Sequence, residues 1–310
     1  MIEKPVYQAQ PFIKWAGGKG QLLSTFREFY PQSLTTGKIT RYVEPFVGGG
    51  AVLFDVLRSF PVEEAVIIDI NSDLINTYKA VRDHVDHLIS LLQEIEHKYL
   101  SQDMKARKKT YYNVRKQYNS KRVSTNQVDI EKASQFIFLN KTCFNGLYRV
   151  NKSGGFNVPF GDYKNPTICD TENLTSARAL LKKVRIICGD FNKASGYVDS
   201  ESFVYFDPPY RPLHTTSSFT SYSKQDFTDD DQIALAEFYR QLDDTGALLM
   251  LSNSDPHNVD PLDDFFDELY KGFNIHRVQA KRSINSRGDS RGLLSEILVT
   301  NYKVQNRLAT

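Results

Sequence analysis

The spacing of apolar positions changes period twice along the chain. Up to about residue 70, short apolar runs alternate with glycine-rich turns. Residues 41–46 lead into 47–51, and residues 65–68 end on Asp69, the rhythm of strand, turn, helix and strand. From Ser72 the apolar residues recur every three or four positions, at Leu74, Ile75, Tyr78, Val81, Val85, Leu88, Ile89, Leu92 and Ile95. That period predicts amphipathic helix, with Ser72 placed to cap its start. Past about residue 165 the short runs return, at 184–188, 203–206, 247–251, 273–278 and 296–301, and a helical pattern opening on acidic residues spans about 229–242. Strands alternating with helices predict a mostly parallel sheet covered on both faces. The last two strands, joined by a short Gly/Ser/Arg-rich connection, read as an antiparallel hairpin. The organisation expected is a discontinuous α/β domain, residues 1–75 and 165–310, interrupted by a mainly helical insertion over residues 76–164.

At 310 residues the chain can bury a sizeable core without covalent staples. Its 39 Lys and Arg against 37 Asp and Glu leave a net charge of +2, which excludes a histone-like protein and makes any nucleic-acid surface local. One stretch is asymmetric. No acidic residue lies between Asp103 and Asp129, while Lys105, Arg107, Lys108, Lys109, Arg115, Lys116, Lys121 and Arg122 are interleaved with Tyr111, Tyr112 and Tyr118. Such a run is either a solvated helix face or a nucleic-acid footprint. Cys143, Cys169 and Cys188 are odd in number and form no C-x-x-C pair, which argues against a disulfide framework and a cysteine zinc site and fits a reducing compartment. The longest apolar runs, such as 248–251, fall far short of the roughly 18 residues needed to cross a bilayer, so a cytoplasmic protein without membrane contact is expected. The histidines offer only His84-x-x-His87, which reads as a solvated helix face, and no metal is expected.

Candidate chemistry lies in two strings. In RYVEPFVGGGAVLF a strand runs into Gly48, Gly49 and Gly50 and then a helix, the arrangement that lets a ligand approach backbone where a Cβ would collide. Asp69 follows Gly50 by 19 residues at the end of the next strand, the spacing of a carboxylate that accepts from ribose hydroxyls. Leu53 stands where a dinucleotide fingerprint has its third glycine, so an adenosine site is favoured over a pyrophosphate site. Upstream, PFIKWAGGKGQLL fails as a phosphate loop, because Ile13 takes the place of the first glycine and Gly20 that of the magnesium-binding hydroxyl. The second string is SFVYFDPPY, an apolar strand delivering Asp207, Pro208, Pro209 and Tyr210 at the sheet edge where open parallel sheets bind ligands. The amino group of a nucleobase is a poor nucleophile, because its lone pair is delocalised into the ring. Acceptors at the Asp207 carboxylate and the Pro208 carbonyl can take its two N–H bonds and favour a pyramidal nitrogen. The prolines restrict the direction of that carbonyl, and Tyr210 offers a face for the base, worth about 1–3 kcal/mol.

Together these residues resemble the Dam-type DNA adenine-N6 methyltransferases, most closely the GATC-specific methyltransferases of restriction-modification systems. The resemblance runs from about Pro11 to Tyr302. FIKWAGGKGQLL is similar to the family's N-terminal cofactor motif, VEPFVGGGAVLF to its glycine motif, IIDINSDLI to its acidic motif and DPPYRPL to its catalytic motif. The most diagnostic string is NKTCFNGLYRVNKSGGFNVPFGDYKNP, which matches the target-recognition region.

The resemblance implies a Rossmann-like catalytic domain, 1–75 and 165–310, that binds S-adenosylmethionine, with a target-recognition domain over 76–164. Trp15, Ala16, Gly17 and Lys19 would line the cofactor pocket with Glu44, Pro45, Phe46, Gly48 and Asp207. Asp69 would hold the ribose, and Asp190 with Phe191 the cofactor adenine. In double-stranded DNA, Lys14 and Arg149 would each contact a guanine, Leu147 and Pro159 a thymine, and Phe144 would wedge into the stack. Lys141, Asn145 and Asn151 complete the implied DNA surface. Lys141 replaces an arginine and His214 a serine of the Dam subgroup, which bears on phosphate contacts and base flipping. A cognate restriction endonuclease is the further partner implied. The expected chemistry is methylation of adenine N6 after base flipping, with residues 215–227 as a lid. N4-cytosine, RNA and protein-glutamine methyltransferases share the fold and cofactor, but none accounts for the recognition string.

Overall fold

The computed structural model describes residues 8–123, 127–211, 227–281 and 293–304. Among them, strands β1 (Arg41–Pro45), β2 (Glu64–Asp69), β3 (Val184–Cys188), β4 (Ser202–Phe206), β5 (Leu248–Ser254), β6 (Asn274–Lys281) and β7 (Leu293–Thr300) form one sheet in the order β3-β2-β1-β4-β5-β7-β6. The pairs among β1 to β5 are parallel. β7 runs antiparallel between β5 and β6, as the expected C-terminal hairpin requires. β4 is buried along its whole length, so its sequence is a continuous apolar run rather than an alternating one. The chain winds outward through β2 and β3 on one side of β1 and through β4 and β5 on the other. The direction therefore reverses between β1 and β4, where sheets of this kind bind ligands beyond the strands' carboxyl ends.

Helices α1 (Leu23–Phe29) and α2 (Gln32–Thr35) precede β1, and α3 (Ala51–Ser59) follows it. Between β2 and β3 come α4 (Ser72–Asp83), α5 (Val85–Leu100), α6 (Met104–Ser120), α7 (Ile130–Thr142) and α8 (Thr171–Leu181). α9 (Asp229–Asp243) and α10 (Phe265–Leu269) follow β4 and β5. One apolar cluster joins the sheet to α3, α4 and α8 and continues through α5 to α7. A second, on the opposite face, joins Val43, Val204, Phe206 and Leu251 to Leu235, Phe238 and Tyr239 of α9.

Two local expectations are corrected. The long apolar period after Ser72 is not one helix: His84 leaves helical geometry (φ −137°, ψ 32°) and divides α4 from α5. The cap of α4 is Asn71, not Ser72; the Asn71 side-chain oxygen accepts from the amides of Asp73 and Leu74, both at 3.1 Å. Strand bounds shift by up to three residues: β5 runs on to Ser254 and β6 to Lys281, and β7 begins at Leu293 rather than Glu296. Residue 76, the expected start of the insertion, lies inside α4, whose later turns pack on α7. α7 is buried nearly all round and is the axis on which α4, α5 and α6 pack. The expected lid at 215–227, apart from Phe227, and His214 lie outside the described residues.

Candidate active site

β1 ends at Pro45, and the chain turns through Phe46 into the glycines before α3. Phe46 adopts φ +63°, a conformation that costs about 1–3 kcal/mol in a bulky residue. The rings of Phe191 and Phe227, at 5.6 and 5.7 Å, hold it there. Phe46 and Phe191 are thus brought together as the resemblance implies. Gly48 is also left-handed (φ +49°), and a Cβ there would lie 2.8 Å from Cδ1 and Nε1 of Trp15. Only glycine lets the N-terminal segment and this turn close into one wall. The Gly48 amide donates to Asp69 Oδ2 (3.1 Å) and the Asn71 amide to Asp69 Oδ1 (2.9 Å), so β2 delivers its terminal carboxylate against the glycine turn. Partial burial pushes the Asp69 carboxyl up to about 6 despite those amides. Asp190, exposed, caps the short turn that carries Phe191 and accepts from the Asn192 amide at 2.9 Å. Next to Asp69, Ile70 is 63% exposed, an apolar side chain beside that carboxylate that no local pattern marks as functional.

At the end of β4, Asp207 keeps 21% of its side chain exposed while Lys19 is 4% exposed, and their Nζ and Oδ1 are 2.7 Å apart. Lys19 also donates to the Gly17 carbonyl (2.7 Å) and lies 4.5 Å over the ring of Tyr210. Asp207 Oδ1 accepts from Ser252 Oγ (3.0 Å), which is 2.8 Å from the Tyr205 hydroxyl. Burial raises the Asp207 carboxyl, and the Lys19 ammonium opposes that rise. Glu44, 2% exposed at the end of β1, is pushed well above the usual carboxylate range by burial, although it accepts from the Tyr42 hydroxyl at 2.8 Å. Tyr210 donates its hydroxyl to Glu296 of β7 (2.5 Å). Pro208 is buried, and the Pro209 carbonyl accepts from Gln232 of α9 (3.1 Å), itself held by Asn253. Arg211 then pairs with Asp229 and Asp263, tying the turn to α9 and to the loop after β5. Ser252, Gln232 and Glu296, with Asn253 behind Gln232, are supports that sequence reasoning misses, since they reach 207–210 only through the fold.

The recognition string begins at Asn140 in the last turn of α7 and continues beyond the helix. Asn145 (φ +55°) and Gly146 (φ +62°) make a tight turn that leaves Phe144 50% exposed. Isolated bridges pair Cys143 with Phe160 and Val150 with Phe156. The Pro159 carbonyl accepts from the Phe144 amide (2.9 Å), and Leu147 is partly buried. Arg149 Nε donates to Asn157 Oδ1 (2.7 Å). Asn151 is exposed, but its side-chain oxygen accepts from Ser153 and Gly155 and is used to close the hairpin turn. Lys14 is exposed, and the Lys141 ammonium has its pKa lowered first by burial and then by Lys14. Trp15 stacks on Tyr148 with centroids 5.3 Å apart and planes at 19°, joining the N-terminal segment to the hairpin that follows α7. Ala16 lies between them and Gly17, partly buried.

The basic stretch divides by role. On α6 the Tyr111 hydroxyl and Arg115 Nη1 donate to the Val158 carbonyl (2.8 and 3.0 Å), so one helix face braces the hairpin. Arg107 is buried and donates to main-chain oxygens of Tyr99, Leu100, Gln102 and Lys164. Lys121 pairs with Glu131. Lys105, Lys108, Lys109, Lys116 and Arg122 remain exposed.

The family model described as D12 class N6 adenine-specific DNA methyltransferase matches residues 15–284. The chain is 55% identical over 296 residues to a type II methyltransferase of Methanocaldococcus jannaschii, spanning 95% of this chain and 100% of that protein. It is 40% identical over 304 residues to a type II methyltransferase of Lactococcus lactis subsp. cremoris (97% and 99%) and 33% identical over 288 residues to a DNA adenine methylase of Vibrio cholerae (93% and 94%).

Proposed function

The chain belongs to the D12 class of N6 adenine-specific DNA methyltransferases, and from that premise we propose that it methylates the adenine of GATC in double-stranded DNA, using S-adenosylmethionine, after rotating that adenine out of the helix. The observation that carries the reading is the placement of Asp207 and Tyr210 beside Lys19 of the N-terminal segment, at the carboxyl edge where the sheet reverses direction. The cofactor fits the residues present: Gly48 lets Trp15 close against the glycine turn, Asp69 retains acceptor capacity for hydroxyls, and Ile70 and Phe191 offer apolar surface for an adenine.

When bound, the cofactor supplies an electrophilic methyl group. This chain's residues do the rest. Asp207 and the Pro208 carbonyl accept from the two N6 hydrogens, which makes the nitrogen lone pair available. Tyr210 stacks on the base, with its hydroxyl fixed on Glu296. Positioning and stabilisation of developing charge on N6 carry the rate, without a covalent intermediate. Flipping costs a few kcal/mol, offset by contacts from Phe144, Asn145, Leu147, Arg149, Asn151 and Pro159 and from Lys14 and Lys141. Arginine's bidentate geometry toward guanine supports the role given to Arg149. We extend the proposal to the division of labour, with 1–75 and 165–310 catalytic and 76–164 target-recognising, and to pairing with a restriction endonuclease in the cell interior.

The test is tritium transfer from S-adenosylmethionine to a GATC duplex and to duplexes altered at that site, by wild type and Asp207→Ala. Transfer to adenine N6 in GATC alone, abolished in the variant, is expected. Equal activity of the variant would remove Asp207 from the mechanism, and transfer elsewhere would replace GATC.

A further inference from the structure

Asn140, near the end of α7, is 2% exposed and bonds to two segments at once. Its Oδ1 accepts from the Lys14 amide (2.8 Å), and its Nδ2 donates to the Lys14 carbonyl (2.8 Å) and to the Gly146 carbonyl (3.2 Å). A carboxamide is the side chain that can mimic a neighbouring strand in this way, giving and taking on the same residue with a hydrogen left for another. The stem of Lys14 is confined as well. A Cβ on Gly146 would fall 2.3 Å from Lys14 Cδ and 2.8 Å from its Cβ, so the lysine lies flat against that glycine's backbone. Its Nζ is 4.9 Å from the centroid of the Tyr163 ring.

We propose that Asn140 is a positioning residue for sequence reading, fixing the main chain of Lys14 against the 144–146 turn so that the Lys14 ammonium emerges at one place relative to the Arg149 hairpin. The inference rests on the reading of Lys14 as a base-contacting residue given above. A long flexible side chain must be ordered on binding, and a stem already held loses less freedom and discriminates better. The effect belongs to discrimination between sequences rather than to methyl transfer, because Asn140 touches neither 207–210 nor the glycine turn in any hydrogen bond described for it.

The experiment measures kcat/KM for tritium transfer to a GATC duplex and to duplexes altered one base pair at a time, for wild type, Lys14→Ala, Asn140→Ala, the double variant and Gly146→Ala. Asn140→Ala is expected to lose discrimination roughly tenfold, the scale of one good base contact, at the same base pair as Lys14→Ala. The double variant should be no worse than Lys14→Ala, and affinity for S-adenosylhomocysteine should be unchanged. If Asn140→Ala lowers turnover on every duplex alike with its profile intact, the proposal is overturned and the Lys14 reading stands. A Lys14→Ala profile identical to wild type overturns that reading and the proposal with it. Should Asn140→Ala fail to fold, Gly146→Ala, which pushes on the same stem, must reproduce the shift; an intact profile there overturns the proposal.

Discussion

Lys19 acts on the carboxylates of Asp207, Glu44 and Glu296 and lowers the pKa of each, while burial raises all of them. In Lys19→Met the Asp207 carboxyl loses its cation and rises further, and a protonated Asp207 is a weaker acceptor for an N6 hydrogen and no longer offers negative charge to the nitrogen as positive charge develops there. The acid limb of the kcat/KM profile should therefore move to higher pH, with about a tenfold loss for each unit by which the pKa exceeds the assay pH, and Lys19→Arg should restore most of it. A pH–rate profile with an unmoved limb would show that Asp207 keeps its charge without Lys19. Asp69 gives a second pH dependence. Its folded-state pKa of about 6 lies above the 3.8 usual for an aspartate, so the fold disfavours the ionised form. The group's contribution to stability is largest below about pH 4 and falls as pH rises toward 6. Ribose hydroxyls donate to the ionised oxygens, so affinity for S-adenosylhomocysteine should strengthen over that same interval. Calorimetric titration from about pH 4 to about pH 7 should show this rise, levelling above about pH 6, in wild type and a flat response in Asp69→Asn.

Helix α7 holds the helical segment together through a buried cation. Lys132 donates to the carbonyls of Tyr118 (3.2 Å) and Lys121, lies 3.4 Å from Asp73 and covers the Tyr118 ring at 4.3 Å. It thereby satisfies carbonyls that the end of α6 leaves open, where the helix dipole favours a positive charge. Lys132→Met strands those carbonyls and Asp73 and should cost about 3–5 kcal/mol, seen as a lower urea midpoint at constant slope; an unchanged midpoint would mean that water replaces the ammonium. Elements of this kind differ in how far the sequence announces them. β3 coincides with the run 184–188, because Val184, Ile186, Ile187 and Cys188 form a short apolar segment bounded by polar residues, a signal that survives although this edge strand is only partly buried. The break at His84 is hidden, since Val81 and Val85 keep the helical period across it. Asn71 and Ser72 are near-equal capping residues, so spacing alone cannot choose between them. At the site, the glycine turn, Asp69 and 207–210 are legible as contiguous strings. Asn140 meets Lys14 across 126 positions and Ser252 meets Asp207 across 45, and nothing local marks either pair.

On the scale of the whole molecule, a net charge of +2 exerts little long-range pull on DNA. Affinity must then come from cations gathered on one side, and the fold narrows the candidates. Of the basic run, Arg107, Arg115 and Lys121 are committed to internal partners, which leaves Lys105, Lys108, Lys109, Lys116 and Arg122 exposed, and of these Lys105, Lys109 and Lys116 form a stripe at helical spacing on α6. The opposite side of that helix braces the recognition hairpin through Tyr111 and Arg115, so a backbone contact at the stripe would fix the hairpin's register without reading bases. Each neutralised phosphate contributes about −0.9 to the slope of log affinity against log salt. Replacing all three lysines by alanine should make the slope shallower by up to about 2.7, three times that unit, while discrimination between GATC and altered duplexes stays as in wild type. Fluorescence anisotropy across a salt series measures both quantities. Relaxed discrimination at an unchanged slope would assign the stripe to base reading. An unchanged slope, affinity and discrimination would place it off the DNA surface, and the asymmetry of residues 103–129 would then be a solvated helix face.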